Sequence, residues 1–317
     1  MVPGKAPLLR ILVTGGAGFV GSHVVDRLIA DGHAVDVLDN LTTGRRDRVH
    51  PGARLHVFDV RDARLDAVLG TAQPEAVIHI AAQAAVPRSV ADPIFDASVN
   101  VLGSIALLEA CRRAGVRRVL YTSTGGAGYG DTNVLPTPED HPLRPASPYG
   151  VSKITAERYL ECWAGMTGGR TLTLRLANVY GPRQDPAGEA GVIAIFTSRL
   201  LSGESCIVNG DGEQTRDYVY VGDVADAVAR GVTLQDATGV ANIGTSAETT
   251  VNDLYRRLAR LAGVNRAAEH APAKPGEQRR SALDATRAKT LLGWSPRTTL
   301  DEGLTQTLQW FQKELRA

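Results

Sequence analysis

Cysteine is scarce. The chain has only Cys111, Cys162 and Cys206, set far apart and without a nearby histidine cluster. That spacing argues against a disulfide framework or a cysteine zinc site, and for free thiols in a reducing cytoplasm. The seven histidines are scattered, which points away from a bound metal. Net charge is nearly absent, at +1, so no excess of one sign invites nucleic acid or an anionic membrane. No unbroken apolar run approaches the ~18 residues of a membrane span. The N-terminus has no signal-peptide core, because Ile11 to Thr14 leads straight into glycines. Internal repeats and low-complexity tracts are also lacking. What remains is an ordinary globular balance over 317 residues, with 43% hydrophobic and 22% charged, enough for one large domain or two joined lobes.

The glycines open the positive evidence. Leu9 to Thr14 is a short aliphatic run, followed at once by Gly15-Gly16-Ala17-Gly18-Phe19-Val20-Gly21. Val20, Val24, Val25 and Leu28 then recur at helical spacing. Strand, glycine turn and helix together form a dinucleotide-binding fingerprint. Gly15, Gly18 and Gly21 allow the tight turn, and Phe19 and Val20 start the helix whose N–H groups face a pyrophosphate. A second strand, Ala34 to Leu38, ends in Asp39, where a carboxylate would hold an adenosine ribose. That favours NAD, although Arg45 and Arg46 leave a 2′-phosphate open.

Further strands are expected at Arg54 to Phe58, Ala76 to Ile80, Arg118 to Thr122 and Thr171 to Leu176. The first ends in Asp59-Val60, placed to contact adenine. The second is followed by Ala81-Ala82-Gln83, small enough to let a cofactor lie near the backbone. His79 reads as a satisfied core histidine. The next helix carries an apolar face of Val101, Ile105 and Leu108, with Asn100 near its start. The strand at Arg118 delivers Ser123-Thr124-Gly125-Gly126-Ala127 to the sheet edge where open α/β folds bind ligands.

Ser147-Pro148-Tyr149-Gly-Val-Ser-Lys153 follows. Pro148 suits a first helical turn, and Tyr149 and Lys153 then share one helix face. A phenol has a reference pKa near ~10, and a neighbouring ammonium is expected to lower it. The pair could accept a proton from an alcohol about to lose a hydride. Beyond it the alternation weakens. A helix is expected over Val192 to Leu201, a strand over Arg216 to Val221, loops over residues 184–191 and 267–280, and a packing helix around Leu300 to Trp310. Arg216, with Lys274, Arg279 and Arg280, suits a diphosphate. The fold expected is a Rossmann-type doubly wound parallel sheet with a smaller α/β C-terminal lobe. Residues 1–177 form the NAD-binding domain, part of 216–245 returns to it, and 178–317 form the substrate lobe.

With these motifs in place, the chain resembles the extended short-chain dehydrogenase/reductases, most of all the UDP-glucose 4-epimerases. The likeness runs through Thr14-Gly-Gly-Ala-Gly-Phe-Val-Gly21, Asp39-Asn40-Leu41, His79-Ile-Ala-Ala82, Tyr149-Gly-Val-Ser-Lys153 and Asn178-Val-Tyr-Gly-Pro-Arg183. Gly210-Asp-Gly-Glu-Gln-Thr-Arg-Asp217 and Leu292-Gly-Trp-Ser-Pro296 belong to the same pattern. The resemblance implies a cytoplasmic homodimer paired through the helices after Asn100 and Tyr149. It implies tightly held NAD and a UDP-sugar oxidised and re-reduced at carbon 4. Tyr149 would be the base, Lys153 would orient the ribose and tune Tyr149, and Thr124 or Ser123 would relay the proton. Asn178 and Arg216 would hold the diphosphate, with Val192, Asn209 and Arg279 also on the substrate. Two departures stand out: Gly125 occupies the usual hydroxyl position, and Asn209 replaces an aromatic residue near the uracil. Ser281 falls where some epimerases carry a bulky tyrosine, which implies room for an N-acetyl group. A 4,6-dehydratase or decarboxylase would use the same oxidation, but those families place a carboxylate where this chain has Gly125-Gly126-Ala127, whereas a UDP-glucuronate 4-epimerase stays open beside the glucose and N-acetyl forms. A non-catalytic NAD-binding sensor would be expected to lack Tyr149 or Lys153.

Overall fold

Aliphatic runs that alternate with helical stripes fold here as strands buried on both faces. The computed structural model describes residues 8–187, 191–273 and 278–316. Its strands are β1 (Arg10–Thr14), β2 (Ala34–Asp39), β3 (Arg54–Val57), β4 (Ala76–His79), β5 (Arg118–Thr124), β6 (Arg170–Leu176) and β7 (Asn178–Tyr180). Then come β8 (Ile207–Asn209), β9 (Thr215–Arg216), β10 (Tyr218–Tyr220), β11 (Gly239–Ile243), β12 (Thr249–Thr250) and β13 (Glu269–Ala271). The helices are α1 (Phe19–Ala30), α2 (Leu65–Ala72), α3 (Val86–Ala91), α4 (Pro93–Ala97), α5 (Gly103–Arg113) and α6 (Gly126–Tyr129). They continue as α7 (Pro148–Thr167), α8 (Val192–Leu201), α9 (Val221–Thr233), α10 (Val251–Leu261), α11 (Thr286–Leu292) and α12 (Leu300–Glu314).

The main sheet has seven strands in the order β11-β6-β5-β4-β1-β2-β3. All its neighbouring pairs are parallel. The order reverses between β1 and β4, which opens a crevice beyond their C-terminal ends. Successive side chains point to opposite faces, so each strand feeds two cores. Ile11, Val13, Val37 and Ile78 pack with Val24 and Leu28 of α1 and with Val224, Val228 and Val232 of α9. Leu12, Leu38, Val77 and Val119 pack on the other side with Leu69, Leu107, Leu160 and Trp163. Each fully buried aliphatic side chain contributes about 1.5–3 kcal/mol of transfer free energy. A third cluster, with Phe196, Leu200, Val208, Tyr255, Leu258 and Leu304, holds α8, α10 and α12 together as the second lobe. Trp294 is 1% exposed and donates to Asp223 O at 2.9 Å, which pins the chain ahead of α12.

Local expectations needed revision at several points. The strand expected over Arg216 to Val221 is broken at Asp217, and α9 already begins at Val221. The Asp217 side chain is buried and accepts from the amides of Thr245, Ser246 and Leu283, which pulls this point of the chain out of a regular ladder. The stretch expected as a loop over 267–280 contains β13, paired with β8. On α5 the buried face is Ser104, Leu107, Leu108 and Cys111, while Val101 and Ile105 are only half-buried. A π turn at Ser98–Leu102 adds a residue to the helical count and rotates the stripe. Pro93–Arg113 forms a 21-residue helical run, long and apolar enough for a span although polar residues interrupt it. Here it packs against α2 and α7.

Candidate active site

Glycine geometry shapes the crevice above β1. Gly15 has φ +73°, and Gly18 N donates to Gly15 O at 3.2 Å. A Cβ on Gly21 would stand 2.0 Å from Gly15 O, and one on Gly15 2.7 Å from Ala81 N. Side chains are sterically barred from the turn. No side chain caps α1, which leaves first-turn N–H groups free to meet a phosphate. Asp39 ends β2 in a buried position and accepts from Ala17 N at 3.0 Å and Leu41 N at 2.8 Å. Burial raises its pKa, partly offset by these bonds. Asn40 donates to Asp59 at 2.8 Å. Asp59 also pairs with Arg61 at 2.8 Å, and these bonds, Arg61 first, hold its carboxyl down at about 2. Arg45 pairs with Asp47. Val60 lies in the core against Gly103. Ala81 N reaches Thr14 O at 3.1 Å, and Gln83 N reaches Asn100 Oδ1 at 2.8 Å. The bare turn, the uncapped helix and the Asp39 carboxylate fit a dinucleotide.

The catalytic candidates meet at the end of β5. Ser147 caps α7 by accepting from Gly150 N at 3.1 Å, with Pro148 opening the first turn. The Thr124 hydroxyl lies beside the Tyr149 phenol and pulls its pKa down. Ser123 is buried and its Oγ has no hydrogen-bond partner. Of the two hydroxyls, the geometry brings Thr124 to Tyr149. Gly125 is bare because Leu283 fills its side-chain space: a Cβ there would stand 2.4 Å from Leu283 Cδ1.

The expected depression of the phenol is not found in the protein alone. Burial pushes Tyr149 up to about 12, with the Thr124 hydroxyl pulling the other way. Lys153 is 3% exposed, and burial lowers it to about 7. Its ammonium lies 4.2 Å from the centroid of the Tyr121 ring. Desolvation outweighs the Thr124 hydroxyl at Tyr149 and the Glu157 and Asp96 charges at Lys153. His79 is a core histidine, with Nδ1 at 2.7 Å from Thr14 Oγ1 and Nε2 at 3.0 Å from Ser104 Oγ. Burial holds it neutral at about 3.

The substrate candidates spread over the second lobe and its junction. Asn178 starts β7 with an exposed side chain. Val192 opens α8, and Asn209 ends β8 with its carbonyl accepting from Gln214 at 3.0 Å. Arg216 donates to Thr215 O at 2.7 Å. Arg279 pairs with Asp211 at 2.7 Å and Arg280 with Glu248 at 2.5 Å. Lys274 lies outside the described residues. Ser281 is buried beside the catalytic strand's end: a Cβ on Gly126 would stand 3.1 Å from its Oγ. Sequence reasoning missed Asp96, Tyr121 and Ser152, which crowd the catalytic pair. The only available signal was Asp96 standing one helical turn before Asn100.

A reversed parallel sheet with a bare glycine turn, a Tyr–Lys pair beside a hydroxyl and a second lobe at the same edge define an extended short-chain dehydrogenase/reductase. The chain belongs to the NAD dependent epimerase/dehydratase family, whose pattern matches residues 11–244. It is 46% identical to a UDP-glucose 4-epimerase of Mycolicibacterium smegmatis, over 96% of this chain and 99% of that one. It is also similar to the crystal structure of a Thermotoga maritima UDP-glucose 4-epimerase with UDP-glucose, at TM-score 0.93 and 47% identity, covering 96% and 99% of the two chains. A Thermus thermophilus UDP-glucose 4-epimerase in complex with NAD matches at TM-score 0.90 and 43% identity, covering 95% and 98%.

Proposed function

We propose that the protein interconverts UDP-hexoses epimeric at carbon 4, with NAD held through turnover. The observation that carries this reading is the Thr124–Tyr149 hydroxyl pair standing over a strand end that continues in bare glycines. Gly15, Gly18, Phe19, Val20, Gly21, Asp39, Asn40, Asp59, Val60, Ala81, Ala82, Gln83 and Asn100 are the residues that would hold the dinucleotide, Val60 from within the core and Asn100 through its bond to the Gln83 amide. Bound NAD supplies reversible oxidation of the sugar's 4-carbinol to a ketone. Tyr149 takes the 4-hydroxyl proton, Thr124 passes it along and Lys153 sets the charge beside the phenol. Leu283 occupies the space beside Gly125, where a water-eliminating relative would place a carboxylate. The ketone is left free to turn over and be reduced from its other face. Asn178 and Arg216 hold the diphosphate, with Val192, Asn209 and Arg279 toward the nucleoside. Proton NMR of the purified protein with UDP-glucose and no added NAD tests this directly. A UDP-galactose anomeric signal is expected. A 4-keto-6-deoxy product, or no turnover even with NAD, would sink it.

The small Ser281 leaves room for a 2-acetamido group, so UDP-N-acetylglucosamine is expected to be a substrate too. Ser281→Tyr should cut its turnover tenfold or more while sparing UDP-glucose, in the range by which pocket shape discriminates, about 10–200-fold. Equal loss on both sugars would show that Ser281 does not select.

The protein is further proposed to be a cytoplasmic homodimer. Its three cysteines are all unpaired thiols. Ile94 and Leu102 are 81% and 61% exposed on the α4–α5 run, and Val151 and Met166 are 50% and 76% exposed on the adjoining α7. Large exposed apolar side chains on two adjoining helices favour an interface there. Sedimentation is expected to give a dimer for the wild type and a folded monomer for the double variant Leu102→Glu, Met166→Glu. A dimer in both would place the interface elsewhere.

A further inference from the structure

Behind the catalytic helix lies a carboxylate that the proposed chemistry does not use. Asp96 on α4 is 1% exposed. Its Oδ1 accepts from Gln83 Nε2 at 2.8 Å and from Asn100 Nδ2 at 3.1 Å. Its Oδ2 is buried without a hydrogen-bond partner. A buried carboxylate with one unsatisfied oxygen is costly unless a nearby cation compensates it. The bonds continue toward the active helix. Asn100 Nδ2 reaches Ser152 Oγ at 3.0 Å, and Ser152 Oγ donates to Tyr149 O at 3.0 Å. The π turn at Ser98–Leu102 lies between Asp96 and α5, with Asn100 at its centre, a distortion often found at functional sites.

The charges around Lys153 decide what Asp96 does. Glu157 and Asp96 act on its ammonium as negative charges, the first from its own helix and the second from α4. His79 faces it from β4 but is neutral, and Tyr121 from β5 presents a ring face. Tyr149 adjoins on the same helix and also feels the Asp96 charge. Glu157 is already committed to Arg175, at 2.7 Å. Asp96 has no ion-pair partner among the described residues, so its charge is the one left over for Lys153.

We propose that Asp96 is a positioning residue of the catalytic pair, bracing α7 through Asn100 and Ser152 and supplying a negative charge, not committed to any other cation, to the Lys153 side of the site. This rests on the roles proposed for Tyr149 and Lys153. Asp96→Asn tests it, because the amide oxygen can still accept from Gln83 and Asn100 while the charge is gone. With full-length enzyme and UDP-glucose, the alkaline limb of kcat should move toward acid by about one pH unit or more, the usual reach of a close buried charge. KM should be nearly unchanged and the melting temperature within a few degrees of wild type. Lysine ε-carbon NMR, with the signal assigned by its loss in Lys153→Met, should show the same shift without relying on turnover. Should Asp96→Asn fail to fold, Asp96→Ser takes its place in both measurements. An unmoved limb, with any loss of activity tracking loss of stability, would overturn the proposal. Lys153→Met separates the two readings. If it stays active, the catalytic assignment falls and this proposal with it. If it is inactive while the Asp96 limb is unmoved, only the role of Asp96 falls.

Discussion

Tyr149→Phe is expected to lower kcat for UDP-glucose by roughly 10²–10⁴ while the protein stays folded and keeps its NAD, the usual contribution of a positioned acid–base group. The substitution removes one oxygen and leaves the ring, so packing in the pocket is retained. What goes is the phenol oxygen beside the Thr124 hydroxyl, the atom proposed to take the sugar's 4-hydroxyl proton. Loss of one polar contact costs at most about 1 kcal/mol, a change of a few degrees at most in melting temperature for a chain of this size. Activity and stability should therefore separate. NMR turnover, cofactor absorbance and a thermal melt on the same preparation check all three. If the variant keeps more than a tenth of wild-type kcat, Tyr149 is not the acid–base group. Burial, with a smaller push from the Asp96 charge, brings the phenol up to about 12, so the protein by itself does not generate a phenolate at neutral pH. The charge that makes the phenol reactive has to come from Lys153 and from the bound cofactor.

The parts of this site legible in the sequence are those fixed over a few residues. Gly15, Gly18 and Gly21 are dictated by backbone crowding within one turn, and Tyr149 and Lys153 by helical spacing. The sheet was legible because strands buried on both faces must be aliphatic throughout. What stayed hidden depends on contacts made across the fold. Choosing Thr124 over Ser123 needs the actual direction of two neighbouring hydroxyls at a strand end. Gly125 looks like an unexplained departure until Leu283, distant in sequence, is seen in its side-chain space. The π turn before α5 is a one-residue insertion that a 3.6-residue period cannot register, so the stripe through Val101 and Ile105 was read one position off. The direction of the Tyr149 shift is hidden from the sequence for a related reason. Lysine proximity can be read from spacing, whereas burial, which wins here, cannot.

The largest expected loss of stability lies one turn further along the same helix, at Glu157→Ala. Glu157 is fully buried on α7 and Arg175 is 3% exposed on β6. Arg175 Nη2 lies 2.7 Å from Glu157 Oε2, and Nε 3.1 Å from Oε1. The remaining guanidinium nitrogen donates to Tyr129 Oη at 3.0 Å and to Glu139 O at 3.2 Å. Tyr129 passes the network to Asn242 at 2.8 Å, and Asn242 bonds the carbonyls of Thr137 and Asp284 at 3.0 and 3.2 Å. One ion pair thus ties the catalytic helix to the sheet and to the 137–139 and 284 segments. Removing one member of a buried pair strands the other charge, at a cost of about 3–5 kcal/mol. For a chain of this length that is a fall in melting temperature on the order of 10 °C. The double variant Glu157→Leu, Arg175→Met removes both charges and should recover much of the loss, because an apolar pair of similar volume carries no desolvation penalty. A double variant as unstable as Glu157→Ala would show that the hydrogen bonds to Tyr129 and Glu139, and not the stranded charge, carry the cost. Arginine keeps its proton across the accessible pH range, so raising the pH to ~9 should not rescue Glu157→Ala. Lys153, whose burial already brings it to about 7, can escape a lost partner by giving up its proton; Arg175 has no such exit, which is why the larger penalty falls on its side of the helix.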